Sequence, residues 1–141
     1  MASPVNFALH PKLAEDCILI GDLSICRVLL MNNRHFPWLV LIPRREGLRE
    51  LFDLSESDYA IIMGEVRQTA KQFATLTKAH KMNIAALGNQ VPQLHIHIIA
   101  RRTDDKAWPQ PVWGSAVTAE PYAPNALSGL VINIKNCLQI D

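Results

Sequence analysis

The 141-residue sequence has little cysteine, little excess charge and no long apolar run. Its three cysteines, Cys17, Cys26 and Cys137, cannot all pair within one chain and show no CxxC spacing. This excludes a disulfide scaffold and a structural zinc site, and leaves buried thiols in a reducing cytoplasm as the expectation. Lys and Arg total 14 against 13 Asp and Glu, so the net charge is +1 with histidines neutral. A polybasic binder of nucleic-acid polymers or membranes, working by bulk attraction to phosphates, is therefore excluded. A small phosphorylated ligand held at one site is not. No stretch approaches the ~20 apolar residues of a membrane span. Met1–Asn6 has neither a basic n-region nor an apolar h-region, so no signal peptide is expected and a cytoplasmic location is. Internal repeats and low-complexity tracts are absent.

What is present is apolar: 49% of residues are hydrophobic and 19% charged, enough to bury a sizeable core and too apolar for disorder. The length suits one domain over 1–141, with a core of about 10–101 and a Pro-rich loop and C-terminal helix over 102–141. Pro11 suits the first turn of a short helix over 10–16. Cys17–Ile20 reads as a strand, Gly21-Asp22 as a turn and Ser24–Met31 as the hairpin partner. A polar loop at Asn32-Asn33-Arg34 leads to a third strand, Trp38–Ile42, and Leu48–Phe52 reads as one helical turn.

Ser55, with Asp58 three residues on, predicts a capped helix to about His80. Its core stripe comprises Tyr59, Ile62, Met63, Val66, Ala70, Phe73 and Thr77; Glu65, Gln68, Lys71, Gln72 and Lys78 form the solvated face. Strands at Met82–Leu87 and Gln93–Arg101 follow. Pro109, Pro111, Pro121 and Pro124 then break up a long loop carrying Trp108 and Trp113, before a C-terminal amphipathic helix with Asn125 as cap. Five strands in hairpin-like order with helices between and after them predict an α+β fold on an antiparallel sheet.

The segment richest in chemistry is Gln93-Leu94-His95-Ile96-His97-Ile98-Ile99. Strand alternation sets Gln93, His95 and His97 on one face and Leu94, Ile96 and Ile98 on the core face. Folding does not require a row of an amide and two imidazoles. Three readings of the row stand on the residues alone. The histidines are half-exposed strand residues, or two ligands of a metal completed by His80, His35 or His10, or a nucleophile beside a hydrogen-bonding partner. Upstream, Gly88 permits close backbone approach, so N–H groups in the Gly88-Asn89-Gln90 turn can cradle phosphate oxygens.

These residues carry a resemblance to the histidine triad (HIT) superfamily. Gln93–Arg101 resembles its His-x-His-x-His strand, and Gly88-Asn89-Gln90-Val91 its Gly-Gln-Ser/Thr-Val lead-in. Asn32-Asn33-Arg34 and Trp38–Pro43 are similar to its nucleoside-binding loop and next strand. The resemblance runs from about Cys17 to Arg101 and implies a HIT-like fold: a five-stranded antiparallel sheet, a main helix and a C-terminal helix. It implies a hydrolase acting at the α-phosphate of dinucleoside polyphosphates or nucleoside phosphoramidates, with His95 as nucleophile and a nucleotidyl-histidine intermediate. His97 would contact the phosphoryl oxygens, and Gln93 stands where the family has its first histidine. Asn89 and Gln90 would lie near the phosphate and leaving group, and Asn32 or Asn33 at the ribose. Apolar residues of the second strand and Phe36 would flank the base, with Trp108 or Trp113 at the rim or simply packing the loop. No metal or cofactor is implied, and the partner is a second copy, a homodimer with one continuous ten-stranded sheet. The Gln-His-His set also admits a nucleotide-binding regulatory module with little turnover, and a nucleotidyltransferase.

A phosphate held by backbone N–H groups, amides and imidazoles rather than a lysine cluster binds with little dependence on salt. Titration of a nucleoside monophosphate across a salt series should give a shallow slope, with negligible affinity for DNA; a steep slope or tight DNA binding would contradict the charge argument.

Overall fold

A first helical turn has no use for its backbone N–H, and Pro11 opens helix α1 (Pro11–Asp16) in the computed structural model, which describes residues 7–141. Met1–Asn6, read above for a leader, lies outside the described residues. Strands β1 (Cys17–Asp22), β2 (Cys26–Met31), β3 (Trp38–Pro43), β4 (Lys81–Ala85) and β5 (Ile96–Arg101) form one antiparallel sheet in the order β1-β2-β3-β5-β4. Helix α2 (Glu56–Thr77) lies between β3 and β4, and helix α3 (Pro124–Leu138) follows the Pro-rich segment. The expected α+β, HIT-like fold is the observed one. Among the described residues no helix is long and apolar enough to cross a membrane.

The first hairpin differs in detail. Gly21 and Asp22 belong to β1, and the turn falls at Leu23–Ile25, closed by Leu23 N–H donating to the Cys26 carbonyl at 2.8 Å. A register shift between Leu19 and Gly21 lets the strand continue. A Cβ on Gly21 would stand 2.3 Å from Cγ2 of Ile140, so only glycine admits the end of the chain against this edge.

Ser55 caps α2 as expected, its hydroxyl accepting from Asp58 N–H at 3.1 Å. The reciprocal half of the box is absent because the Asp58 carboxylate pairs with Arg45 at 2.8 Å. Ile62, Val66, Ala70 and Phe73 are buried, but Tyr59 is exposed. Glu65 is not a solvated residue: its carboxylate accepts from Ile25 and Cys26 N–H at 2.7 and 3.0 Å, satisfying turn donors that the sheet cannot reach. The turn expected at Leu48–Phe52 is a 3₁₀ turn, Leu51–Asp53. Helix α3 starts at Pro124 rather than after Asn125, since proline pre-sets the helical φ without needing a side-chain cap.

The sheet is buried on both faces, by different means. Leu39, Leu41, Ile96, Ile98 and Ala100 pack beneath α2 and α3. On the other face Trp38, Val40, Ile42 and Ile99 are covered by the short helix α1, through Leu13, and by irregular chain, through Val91, Ala107 and Val112. Arg101, 1% exposed, sits on that second face. Its guanidinium holds Asp105 at 2.8 and 3.1 Å, Asn83 Oδ1 at 2.9 Å and the Gln110 carbonyl at 2.8 Å. Phe36 and Trp108 flank it at 5.8 and 5.5 Å. The loop beyond β5 is thereby tied to the sheet.

Burial pushes the Asp105 carboxyl upward, but the Arg101 bond and the N–H groups of Ala107 and Arg102 overcome it and hold the group below its ordinary value. The pair then contributes stability above the unfolded carboxyl pKa and loses it as the pH falls through the lower folded value. Asp105→Ala leaves a buried, unpaired guanidinium and should cost about 3–5 kcal/mol at neutral pH, read as a lower urea midpoint. The difference from wild type should shrink in acid. An unchanged midpoint would show that the pair does not hold the loop.

Candidate active site

Where β5 meets the loop before it, the chain opens a cavity of about 650 Å³ on the loop-covered face. Gly88, Asn89, Gln90 and Val91 line it together with the buried His95 and His97. Met31, Asn32 and Asn33, residues of α1, and Trp38 and Trp113 complete the lining. The polar residues derived from the sequence therefore converge, with one exception.

That exception is Gln93. Strand pairing begins only at Ile96, because the preceding residues bond elsewhere: Leu94 N–H donates to the Leu48 carbonyl at 3.0 Å. The Gln93 Oε1 accepts from His10 N–H at 2.8 Å and its Nε2 donates to the Ala8 carbonyl at 2.9 Å. The side chain does not line the cavity that holds the two histidines.

The two imidazoles, with centroids 4.8 Å apart, are each committed to one tautomer by a partner that can play only one role. A carbonyl only accepts, so His95 Nδ1–H donates to the Gln93 backbone oxygen at 2.7 Å, and in the neutral ring the lone pair is then on Nε2. An indole N–H only donates, so Trp38 Nε1–H gives its proton to His97 Nδ1 at 3.0 Å, and neutral His97 carries its own proton on Nε2. A lone pair thus sits beside a donor. Burial, and secondarily the neighbouring His95, push the His97 pKa down to about 4, so it donates without charge at neutral pH. Trp113 packs edge-on to His97 at 5.0 Å and to Trp38 at 5.8 Å.

Asn32 Oδ1 accepts from Tyr122 N–H at 3.0 Å and Asn33 Oδ1 from His35 N–H at 3.1 Å, so the loop spends its carbonyls on holding its own shape. Glu120 pairs with Arg34, and at 3.0 Å with His35, and fastens the tail across this loop. The Gly88 backbone has φ +73°, a left-handed conformation that glycine adopts without strain. Phe36 does not line the cavity but lies against Arg101, and Met31 is the second-strand residue that does line it. Of the two loop tryptophans, Trp113 is at the rim, while Trp108 packs on His80 at 5.4 Å.

The residues weighed as further metal ligands are spoken for. His80 lies edge-on to Trp108, His35 bonds Glu120, and His10 caps α1 by accepting from Lys12 N–H at 3.1 Å. Among the described residues, no three His, Cys, Asp or Glu side chains group closely enough to hold a metal ion. Sequence reasoning missed the Trp38 bond and the α1 wall. The need of a buried indole for a polar partner was a usable signal for the first; the second had none.

Because His97 stays neutral, its ring signals should not titrate in NMR spectra from about pH 8 down to pH 5. Its preference for the neutral form in the folded state means that stability is lost as the pH falls from the unfolded value near 6.5 through about 4. Trp38→Phe removes a bond made only by the neutral ring, so the His97 midpoint should move up toward the ordinary histidine range. An unmoved midpoint would mean the indole does not set the tautomer.

Comparison with known proteins agrees with this geometry. The HIT domain pattern matches residues 12–104. A histidine triad protein of Sinorhizobium meliloti 1021 is 41% identical, with a TM-score of 0.91 over 95% of this chain and 98% of its own. Histidine triad protein blr8122 of Bradyrhizobium japonicum is 42% identical, with a TM-score of 0.91 over 94% and 98% of the two chains. One from Marinobacter aquaeolei VT8 is 38% identical, with a TM-score of 0.91 over 94% and 96%. Among curated proteins none matches. The chain belongs to the HIT domain family, whose members are generally nucleotide-binding hydrolases or transferases.

Proposed function

We propose that the protein is a hydrolase that cleaves nucleotide conjugates at the α-phosphorus through a covalent intermediate on His95. The observation that carries this reading is the pair of fixed tautomers: an unprotonated Nε2 on His95 beside an uncharged Nε2–H on His97. The His95 Nε2 lone pair attacks the α-phosphorus, and the bond from phosphorus to the leaving group breaks, its electron pair going to the departing oxygen or nitrogen. Water then attacks the same phosphorus, the P–N bond breaks, and the nucleoside monophosphate leaves with His95 restored. His97 donates to a non-bridging oxygen, and the Gly88–Val91 turn with Asn89 and Gln90 supplies further donors at the phosphate and leaving group. Asn32 and Asn33 retain their amide nitrogens for the ribose.

The substrate class is a nucleoside phosphate with a second group on the α-phosphate: a dinucleoside polyphosphate or a nucleoside phosphoramidate. The mechanism uses no metal. The family resemblance also implies a homodimer in the cytoplasm. The edge position of β4 and the exposed Tyr59, Ile61 and Ile84 support the dimer.

Rapid quench of turnover with a fluorescent adenosine phosphoramidate into alkaline denaturant, which spares the acid-labile P–N bond, followed by intact-protein mass spectrometry without acid, tests the reading. A gain of one nucleotidyl group, absent in His95→Ala together with a loss of about ten-thousand-fold in kcat, is the expected result. Binding without adduct or turnover would make the protein a nucleotide-binding module instead. An adduct discharged to an added alcohol or amine in preference to water would make it a transferase.

A further inference from the structure

Gln93 stands where the family's pattern has its first histidine, yet both ends of its amide are occupied by main chain more than eighty residues away. Oε1 takes the His10 N–H at 2.8 Å and Nε2 reaches the Ala8 carbonyl at 2.9 Å, as a strand residue would. The segment so gripped leads directly into α1. His10 is its N-cap, and Pro11 its first residue. From α1, Lys12, Leu13, Glu15 and Asp16 enter the lining of the histidine cavity. At its far end the Asp16 carbonyl accepts from Asn32 N–H at 3.0 Å, so the helix spans from Gln93 to the asparagine loop. A helix of six residues has little stability of its own and depends on such anchors.

We infer that Gln93 is a positioning residue: its two amide bonds to residues 8 and 10 seat α1 as the wall of the cavity that receives the nucleoside end of the substrate. The assignment of that end follows from charge. Glu15 and Asp16 outnumber Lys12, which is itself paired with Asp16 at 3.1 Å, so the wall repels phosphate. Buried Leu13 and the neighbouring Met31 offer apolar surface, with the asparagines beside them. An uncharged base and ribose fit this wall; a chain of phosphates does not. The position thereby serves substrate affinity rather than the phosphoryl chemistry. The inference rests on the reading of this cavity as a nucleotide site.

The test uses Gln93→Met, which keeps the volume and removes both bonds, and Gln93→His, which restores the family's residue. In Gln93→Met the His10 amide should exchange with solvent much faster by NMR, while β3 and β5 amides keep their protection. KM for an adenosine phosphoramidate and Kd for AMP should both rise about tenfold, with kcat and its pH profile kept within about twofold. Gln93→His should weaken affinity likewise and not raise kcat. Unchanged His10 exchange, or a fall in kcat with KM preserved, would overturn the inference, as would a gain in kcat in Gln93→His. Exchange and AMP affinity need no turnover, so they decide the role of Gln93 even if His95 forms no adduct. A wild-type protein that bound no AMP would remove the nucleoside assignment and the proposed function together.

Discussion

A guanidinium buried to 1% exposure must satisfy its donors or destabilise the fold, and the arrangement around Arg101 organises the functional face of this protein. It closes β5, binds Asn83 of the neighbouring strand and draws Asp105 and Gln110 of the following loop onto the sheet. That loop would otherwise have no regular hydrogen bonding to place it. Held there, it delivers Ala107 and Val112 to the apolar layer and Trp113 to the edge of His97. The helices cover the opposite face by ordinary hydrophobic packing. The face with the chemistry is covered by irregular chain and one six-residue helix, and a buried ion pair supplies much of the order that long helices give the other face.

The site works with uncharged partners. A carbonyl and an indole decide where the two imidazole protons reside, and neither partner titrates. In the proposed cycle this has a further effect. When His95 carries the nucleotidyl group its ring is an imidazolium, and the Gln93 carbonyl then accepts a charge-assisted bond, stronger than the one it accepts in the resting state. The same contact that aims the nucleophile becomes more favourable as the covalent bond forms, which is the condition for lowering a barrier.

Much of this was legible in the sequence. The alternation of Leu94, Ile96 and Ile98 identified the core face of β5, and Ser55 marked the start of α2, because both signals are local. The two histidines and the glycine turn were legible from the residues, the asparagine loop only through the HIT resemblance, and all converge on one cavity. Non-local choices were less legible. Gln93 was assigned by strand alternation to the histidine face, but alternation applies only where the strand is paired, and pairing starts at Ile96. Glu65 sits at a helical position that faces solvent in projection, and only the fold brings two turn N–H groups to it. Gly21 resembled a turn glycine, whereas the constraint on it is the approach of Ile140 from the other end of the chain.

The tail that carries Trp113 has unequal moorings. Near Arg101 it is held by a buried, multiply bonded charge; at Glu120 by pairs with Arg34 and His35 in which the carboxylate is 46% exposed. Beside the exposed carboxylate, Arg34 N–H donates to the Glu120 carbonyl at 2.7 Å and Tyr122 N–H to Asn32 Oδ1 at 3.0 Å, so main-chain groups and not the ion pairs alone hold this end of the tail. Trp113 thus sits on a span tied at both ends, and the indole that packs on His97 needs no regular secondary structure to hold it there.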